Sequence, residues 1–446
     1  DGALITIGSV VGTGIFLTSG DIARALPHPG LLVLVWLVGG LLTLAGALTY
    51  AELGALYPRA GGIYHFLKEA YGPLPGFLYG WASFLVIMTG GIAALAVGFA
   101  EYLGSFVPWA STANALLSVP VGRFTWTVSG GQVAAVLAIL GLTAINVLGV
   151  REGAGVQNAL TVIKIGSIVA FAVLGFLVPA RAAEALAGPL PAPATLLAGV
   201  GVAMIAALWT YDGWYGLTFS AGEMRNPEKS LPLGLVWGTA AIVVMYVLLN
   251  LVYLRALPVG EIAGTPRIGE AAAAALFGAR GARLVAAAVV VSSFGCLAAT
   301  ILYAPRIYLA MARDGLFFRS LAQIHPRWRT PALSLWAQAG WAALLTLTGT
   351  YSQLYTYVVF AATLFHVLTG AAVVVLRRRR PDLPRPYRVW GYPVVPALFL
   401  LASLALVAST LVERPRESLL GLGLVALGLP AYARWRRRAA ETGSGG

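Results

Sequence analysis

The sequence predicts an all-α polytopic membrane protein with twelve transmembrane helices, the first and sixth of them broken. Of the 446 residues, 59% are hydrophobic and only 11% charged, and the mean hydropathy is +0.82. A soluble domain carries about 25% charged residues. Apolar runs long enough to cross a ~30 Å hydrocarbon layer, about 20 residues each, recur from end to end. Two of them are interrupted near their middles, at Gly12-Thr13-Gly14 and at Tyr211-Asp212-Gly213-Trp214-Tyr215-Gly216.

The expected spans are 3–24, 31–56, 74–101, 131–148, 156–178, 197–222, 233–255, 284–312, 332–348, 353–376, 394–412 and 417–433. The third is long enough to tilt. Between 257 and 283 a Pro- and Ala-rich stretch is too short and too interrupted to cross, and reads as a short external helix. No 20–50-residue period is visible, which excludes solenoids and propellers. Broken helices in matching positions of two halves are the sequence mark of an inverted-repeat transporter. A 5+5 arrangement follows, with 1–178 as the first repeat, 197–376 as the second and 394–433 as two additional helices.

The net charge of +13 comes from 30 Lys and Arg against 17 Asp and Glu. The positives form short blocks between apolar runs, as juxtamembrane anchors do, so no nucleic-acid partner is expected. With the N-terminus inside, nineteen basic residues fall on cytoplasmic segments. They are Arg59, Lys68, Arg151, Arg225, Lys229, Arg313, Arg319, Arg327, Arg329, Arg377–Arg380, Arg385, Arg388, Arg434 and Arg436–Arg438. Nine fall outside, and Lys164 and Arg306 lie within spans. That bias places both termini in the cytoplasm of a cell-membrane protein. Asp1 in place of Met leads us to expect a preceding segment, and Ser444-Gly445-Gly446 reads equally as native chain or appended tail. Cys296 is the only cysteine, so no intrachain disulfide can form.

In hydrocarbon an unpaired backbone N–H or C=O costs several kcal/mol, so irregular backbone is tolerated only where it is buried in protein or lines a cavity. At Gly12-Thr13-Gly14 one half-helix ends and another begins, and the N–H groups of the second make an anion site. The Thr13 hydroxyl adds a donor, and glycine on both sides lets a ligand approach the backbone. Free carbonyls around Val10 and Val11, and from Trp209 to Asp212, make the complementary cation site. A carboxylate pocket beside an ammonium pocket matches the main chain of an amino acid. Close helix packing is the other reading of such small residues, and two matched breaks favour the ligand.

Five segments, in order, resemble the amino acid–polyamine–organocation superfamily with its LeuT-like fold, within it the L-type and serine/threonine exchangers. They are Gly8-Ser-Val-Val-Gly-Thr-Gly-Ile-Phe16, Tyr57-Pro-Arg-Ala-Gly-Gly-Ile-Tyr64, Tyr211-Asp-Gly-Trp214, Gly222-Glu-Met-Arg-Asn-Pro-Glu-Lys-Ser-Leu-Pro232 and Arg306-Ile-Tyr-Leu-Ala-Met-Ala-Arg-Asp-Gly315. The resemblance implies a substrate held between spans 1 and 6, with its carboxylate at Thr13, Gly14 and neighbouring amides such as those of Gly12 and Ile15. The amine then meets carbonyls at Val10, Trp209 and Asp212, beside Tyr211 and Gly213. It also implies an aromatic gate at Trp209, a cytoplasmic gate at Glu223 and Arg306, and Lys164 in the place where sodium-coupled relatives bind a second sodium ion. No sodium dependence is therefore expected. Some animal relatives join a partner glycoprotein through a Cys after span 3; 102–130 holds no Cys, so no disulfide-linked partner is expected.

Individual residues keep more than one reading. Lys164 lies roughly 13 Å into its span at 1.5 Å per residue, where a Lys costs about 2.5–3.5 kcal/mol; snorkelling is the alternative to a coupling role. Asp212 suits a cationic cargo, a proton or a helix cap. Arg306 pairs in the gate or snorkels. His366 relays protons or, preferably, makes a packing hydrogen bond. Asn146 and Asn250 should bond between helices, Glu52 and Glu101 should be interfacial, and Tyr211, Trp214, Tyr215 and Phe294 could shape a side-chain pocket. Ala298 and Pro305 depart from the family pattern, and Pro305 could kink span 8.

The chain has no metal-ligand spacing, no Gly-x-x-x-x-Gly-Lys-Ser/Thr loop and no Gly-x-Ser-x-Gly elbow. No enzyme activity, cofactor or metal is expected, and ATP-driven pumping is excluded. The expected function is secondary, sodium-independent alternating-access transport of L-amino acids, neutral ones favoured, by exchange. The partners are the amino acid and the lipid bilayer, with protons open. Proton-coupled amino acid uptake, or cationic amino acid or polyamine symport, is the alternative; a channel or a membrane sensor ranks lower.

Overall fold

In the computed structural model, residues 2–121, 124–149, 153–182, 184 and 186–443 are described; Arg151 and Ser444-Gly445-Gly446 lie outside them. Span 1 is helix Gly2–Val10, an irregular stretch, a 3-10 turn Gly14–Phe16 and helix Thr18–Ala25. Span 6 is helix Pro193–Tyr211, a turn and a 3-10 helix Gly216–Glu223. Both breaks fall where glycine and polar residues interrupt the apolar runs. The other spans are Pro29–Leu56, Pro73–Leu103, Gly130–Leu148, Gly153–Leu177, Pro227–Ala256, Ile268–Arg313, Ala332–Thr346, Tyr351–Arg379, Val394–Glu413 and Pro415–Arg436. Among the described residues, nine helices are long and apolar enough to cross a membrane. The other three expected crossings are the broken span 1, span 5 with its shorter apolar helix Thr161–Leu177, and the 15-residue span 9.

The helix starts follow local chemistry. Ser129 and Thr350 close capping boxes with Gln132 and Gln353, each satisfying orphan amides at a helix start. Gly278, at φ +72°, separates helical residues 268–277 from the crossing part of span 8, as the interrupted external stretch led us to expect. Pro305 has no N–H to donate, and a new helix starts there; Ala304 keeps helical dihedrals of −59° and −38°. The hydrogen-bond ladder is interrupted without a change of backbone conformation.

Two elements were not expected. An antiparallel hairpin, Ala115–Val121 with Phe124–Ser129, follows span 3, and helix Ile63–Tyr71 lies between spans 2 and 3. Both are shorter than a crossing, so a reading built on spanning length passes over them. Span 7 packs on span 2 and on the first half of span 1, span 8 on span 3, span 9 on spans 3 and 4, and span 11 on span 10. Leu34, Leu37 and Leu41 on span 2 and Leu398 and Leu401 on span 11 are exposed, as suits lipid-facing positions.

Glu52 lies near the end of span 2, as expected, and is buried there. Its side chain is 2% exposed, and Arg377 binds it through Nε at 2.9 Å and Nη2 at 2.6 Å. The Val389 amide donates at 2.7 Å and Arg385 Nε lies 3.6 Å away. The reason is tertiary: the loop after span 10 folds back over the end of span 2. Glu101 also lies near its span end, accepting from Thr112 and pairing with Arg267 at 3.7 Å.

Candidate functional site

The two breaks meet face to face. A Cβ on Gly14 would lie 2.8 Å from Thr210 Oγ1, and one on Gly213, at φ +94°, would lie 2.8 Å from the Ser9 carbonyl oxygen. Only glycine allows both approaches. The Thr18 and Thr210 hydroxyls join the two spans at 2.7 Å.

Among the described residues, the amides of Gly12, Thr13, Gly14 and Ile15 have no backbone or side-chain acceptor. They form the positive pole of the second half-helix. The carbonyls ending the first half are held by donors from three other spans. Gly8 accepts from Lys164 Nζ at 3.0 Å, Ser9 from Cys296 Sγ at 3.2 Å, Val10 from the Tyr246 hydroxyl at 3.3 Å and Val11 from Ser292 Oγ at 3.4 Å. Each carbonyl has a second lone pair, so Val10 remains able to receive an ammonium. In span 6 the Trp209 carbonyl accepts the Asp212 amide at 3.0 Å.

Between the breaks lies a cavity of about 30 Å³, the share of one water molecule. Val10, Gly12, Gly14, Trp209, Asp212 and Gly213 line it, as expected for a ligand gripped by backbone. Ser9, Thr210, Met88, Leu95, Cys296, Thr300 and Tyr303 also line it and were not anticipated. The residues from spans 3 and 8 carry no motif, and only the packing of those helices brings them in. Val11, Thr13, Ile15 and Tyr211 are buried but do not line it. Thr13 turns to the Tyr351 hydroxyl, 3.4 Å away, and Tyr211 donates to the Trp36 carbonyl at 3.0 Å. The expected aromatic side-chain pocket is corrected likewise. Trp214 and Tyr215 pack around His366, and Phe294 is 37% exposed beside Phe99. A helical residue covers the turn before its own Cα, so nearness to a break in sequence did not fix where these rings point.

Side chains bond to one another beside the cavity at Trp209 and at the far end of span 6. At the first, Trp209 Nε1 donates to the Tyr351 hydroxyl at 2.8 Å, and the Trp209 ring stacks on Tyr355. Tyr355 in turn donates to Asp21 at 2.7 Å. Beyond this lid opens a vestibule of about 780 Å³ lined by Asp21, Arg24, Glu101, Trp126 and Tyr351, residues of the segments that the charge bias places outside. At the second, Arg306 grips Glu223 bidentately at 2.6 and 2.9 Å, so Arg306 is paired rather than snorkelling. Lys68 and Tyr64 donate to Asp314 at 2.6 and 2.5 Å.

Burial raises the Asp314 carboxyl, but hydrogen bonds from Lys68 and Tyr64 and the Lys68 charge outweigh it and hold it below the usual range. A depressed acid adds stability above its unfolded value, about 3.9, and loses it as pH falls through the folded value. The stability gap between wild type and Asp314→Asn should therefore stay constant from about pH 8 to about pH 5. Thermal denaturation checks this; a gap already closing near pH 6 would contradict it.

Lys164 is 3% exposed, so its ammonium ends on the Gly8 carbonyl, not at a membrane surface. Asp212 lies three residues before Tyr215, the residue that starts the 3-10 helix and makes no side-chain capping bond. The Tyr50 hydroxyl and His366 Nδ1 lie 2.6 Å apart, joining spans 2 and 10. Asn250 takes a bond from Ser19 at 2.7 Å and Asn146 donates to Ala298 at 3.3 Å, each between helices. Cys296 is free and buried.

Comparison with known proteins follows the same lines. The profile of a family described as amino acid permease matches residues 2–419. The chain is 31% identical to the serine/threonine exchanger SteT of Bacillus subtilis (strain 168), over 98% of this chain and 96% of that one. It is 30% identical to the b(0,+)-type amino acid transporter 1 of Homo sapiens, over 93% and 82%. With the large neutral amino acids transporter small subunit 2 of Mus musculus it shares 29% identity, over 96% and 78%.

Proposed function

The chain belongs to the amino acid permease family, and we propose that it exchanges small neutral L-amino acids across the cell membrane without sodium. It is an amino acid transporter of the lipid bilayer and not an enzyme, as its relatives are. One observation carries the finer reading: of the four unpartnered amides from Gly12 to Ile15, those of Gly12 and Gly14 belong to residues that line one cavity with the span 6 break. That polarity fits a carboxylate on one side and an ammonium on the other. In this reading the cargo enters by alternating movement of gates at Trp209 and at Glu223–Arg306, whose bonded side chains support it.

The ammonium of Lys164 on the Gly8 carbonyl supplies a fixed cation beside span 1, which supports independence from sodium. The name of the Bacillus relative supports exchange and small hydroxyl-bearing cargo. The basic residues favour cytoplasmic termini, and 1–178 and 197–376 are proposed as the two repeats, with 394–433 outside them. Its single cysteine, buried on span 8, supports assembly without a disulfide-linked subunit.

A thermal-shift screen of the twenty amino acids, followed by counterflow of the strongest binder in proteoliposomes, tests this reading. Stimulation of uptake by the same amino acid inside is the expected result. Ion current without counterflow would replace the carrier by a channel. In the same assay Thr13→Val, which removes the hydroxyl that lies on Tyr351 beside the Trp209 lid and would have to turn to the carboxylate, should weaken binding by about 0.5–1.5 kcal/mol, the loss of one hydrogen bond. Unchanged affinity in a folded variant would remove Thr13 from the site.

A further inference from the structure

Asp212 borders two cavities, not one. Besides the central cavity it lines a second, of about 40 Å³, together with Thr43, Trp214, Thr363, His366, Phe399 and Ser403. Leu42, Leu208, Val359 and Ala362 make much of its wall apolar, but Thr43, Thr363, Ser403, His366 and Asp212 also face it, and a space of that size holds water when two to four polar groups face it. Tyr50 occupies His366 Nδ1, which leaves Nε2 as the ring nitrogen available to the cavity.

Among the described residues no Lys, Arg or His lies within ion-pair distance of Asp212. The titratable groups facing it are Tyr50 from span 2, Tyr79 from span 3, Tyr215 from span 6, and Tyr303 and Cys296 from span 8. Span 10 adds His366, while the residues that spans 1 and 11 bring to the two cavities include no titratable group. Lys164, behind span 1, faces Cys296. None of these is a permanent cation at the carboxylate. An ionised carboxylate taken through a closed, low-dielectric state without one is costly.

We propose that Asp212 is the switch that makes exchange obligatory. Its carboxylate must be neutralised before the carrier changes sides, either by the substrate ammonium in the central cavity or by a proton delivered across the second cavity from the His366 side. This rests on the exchange reading above. A loaded carrier crosses with its carboxylate paired to the ammonium. An unloaded, ionised carrier stalls, which enforces exchange. An unloaded carrier that has taken one proton from water onto an Asp212 oxygen is neutral and returns alone, and it loses that proton when the next ammonium binds. Acid pH should therefore loosen exchange into net transport.

The experiment uses proteoliposomes loaded with labelled L-serine, or with the strongest binder of the screen, at equal pH on both sides and clamped potential. Efflux is compared with and without unlabelled amino acid outside, from about pH 8 to about pH 5. Net efflux should rise as pH falls, by up to about tenfold per pH unit for one proton, while exchange changes much less. Asp212→Asn should give net efflux that no longer depends on pH, and Asp212→Glu should keep the dependence. His366→Gln should flatten or slow the acid response with exchange retained.

A flat net efflux in the wild type, or an unchanged acid response in Asp212→Asn, overturns the proposal. Loss of a ligand-induced thermal shift identifies a variant that no longer folds or binds, and the wild-type and His366→Gln arms then decide. Absence of counterflow for every amino acid would instead refute the exchange reading. A drop in affinity for lysine alone in Asp212→Asn, with no pH effect, would make Asp212 a substrate-charge contact and overturn the switch.

Discussion

Glu52→Ala should cost about 3–5 kcal/mol of stability, the penalty for removing one partner of a buried ion pair. The carboxylate, 2% exposed, accepts from Arg377 and the Val389 amide and forms an ion pair with Arg385. Arg385 is itself 7% exposed, and its Nε makes no hydrogen bond, only the 3.6 Å ion pair. Deleting Glu52 leaves that guanidinium buried with an uncompensated charge, and frees the loop after span 10 from span 2. Glu52→Gln keeps the shape and one acceptor oxygen and should recover part of the loss. Thermal denaturation in detergent orders the three proteins; a Glu52→Ala variant as stable as wild type would mean that the loop is held by something else. Glu223→Gln makes the contrast, since Glu223 is 57% exposed and an exposed pair contributes about 0–1 kcal/mol.

How much of this was legible beforehand depended on range. The crossings, the two breaks and the external helix around 268–277 follow from local composition, because hydrocarbon thickness and backbone satisfaction act residue by residue. The backbone part of the site was legible for the same reason: a broken membrane helix advertises its own unpaired amides. The partners of the broken ends were not. Tyr246, Ser292 and Cys296 reach the span 1 carbonyls from distant spans, and no local pattern marks a Tyr or Ser as a donor to a helix end. The burial of Glu52 was not legible because its partners are more than three hundred positions away. The hairpin at 115–129 alternates weakly and is too short to register against spans twice its length. Lys164 stood out because a lone ammonium deep in an apolar run is itself the anomaly.

Lys164→Ala should leave substrate binding within a fewfold of wild type and reduce counterflow about 10–100-fold. The factor is the equivalent of the ≈ 1.5–3 kcal/mol that a hydrogen bond to a charged group contributes. Its Nζ is the donor on the Gly8 carbonyl, one turn before the break, and Gly8 has no side chain to hold the half-helix by other means. A Cβ at Gly8 would lie 2.7 Å from Thr161 Oγ1, so span 5 is packed directly on span 1 there. Removing the ammonium strips the negative end of the half-helix of the cation on the Gly8 carbonyl while leaving the Gly12–Ile15 amides untouched. Movement of the half-helix should suffer more than grip on the ligand. Lys164→Arg should not rescue, because the planar guanidinium is larger than the compact ammonium it replaces. Paired measurements of thermal-shift affinity and of counterflow rate separate the two effects. Normal counterflow in Lys164→Ala would show that the half-helix moves without this tether, and an equal loss of affinity and rate would place Lys164 at the ligand instead.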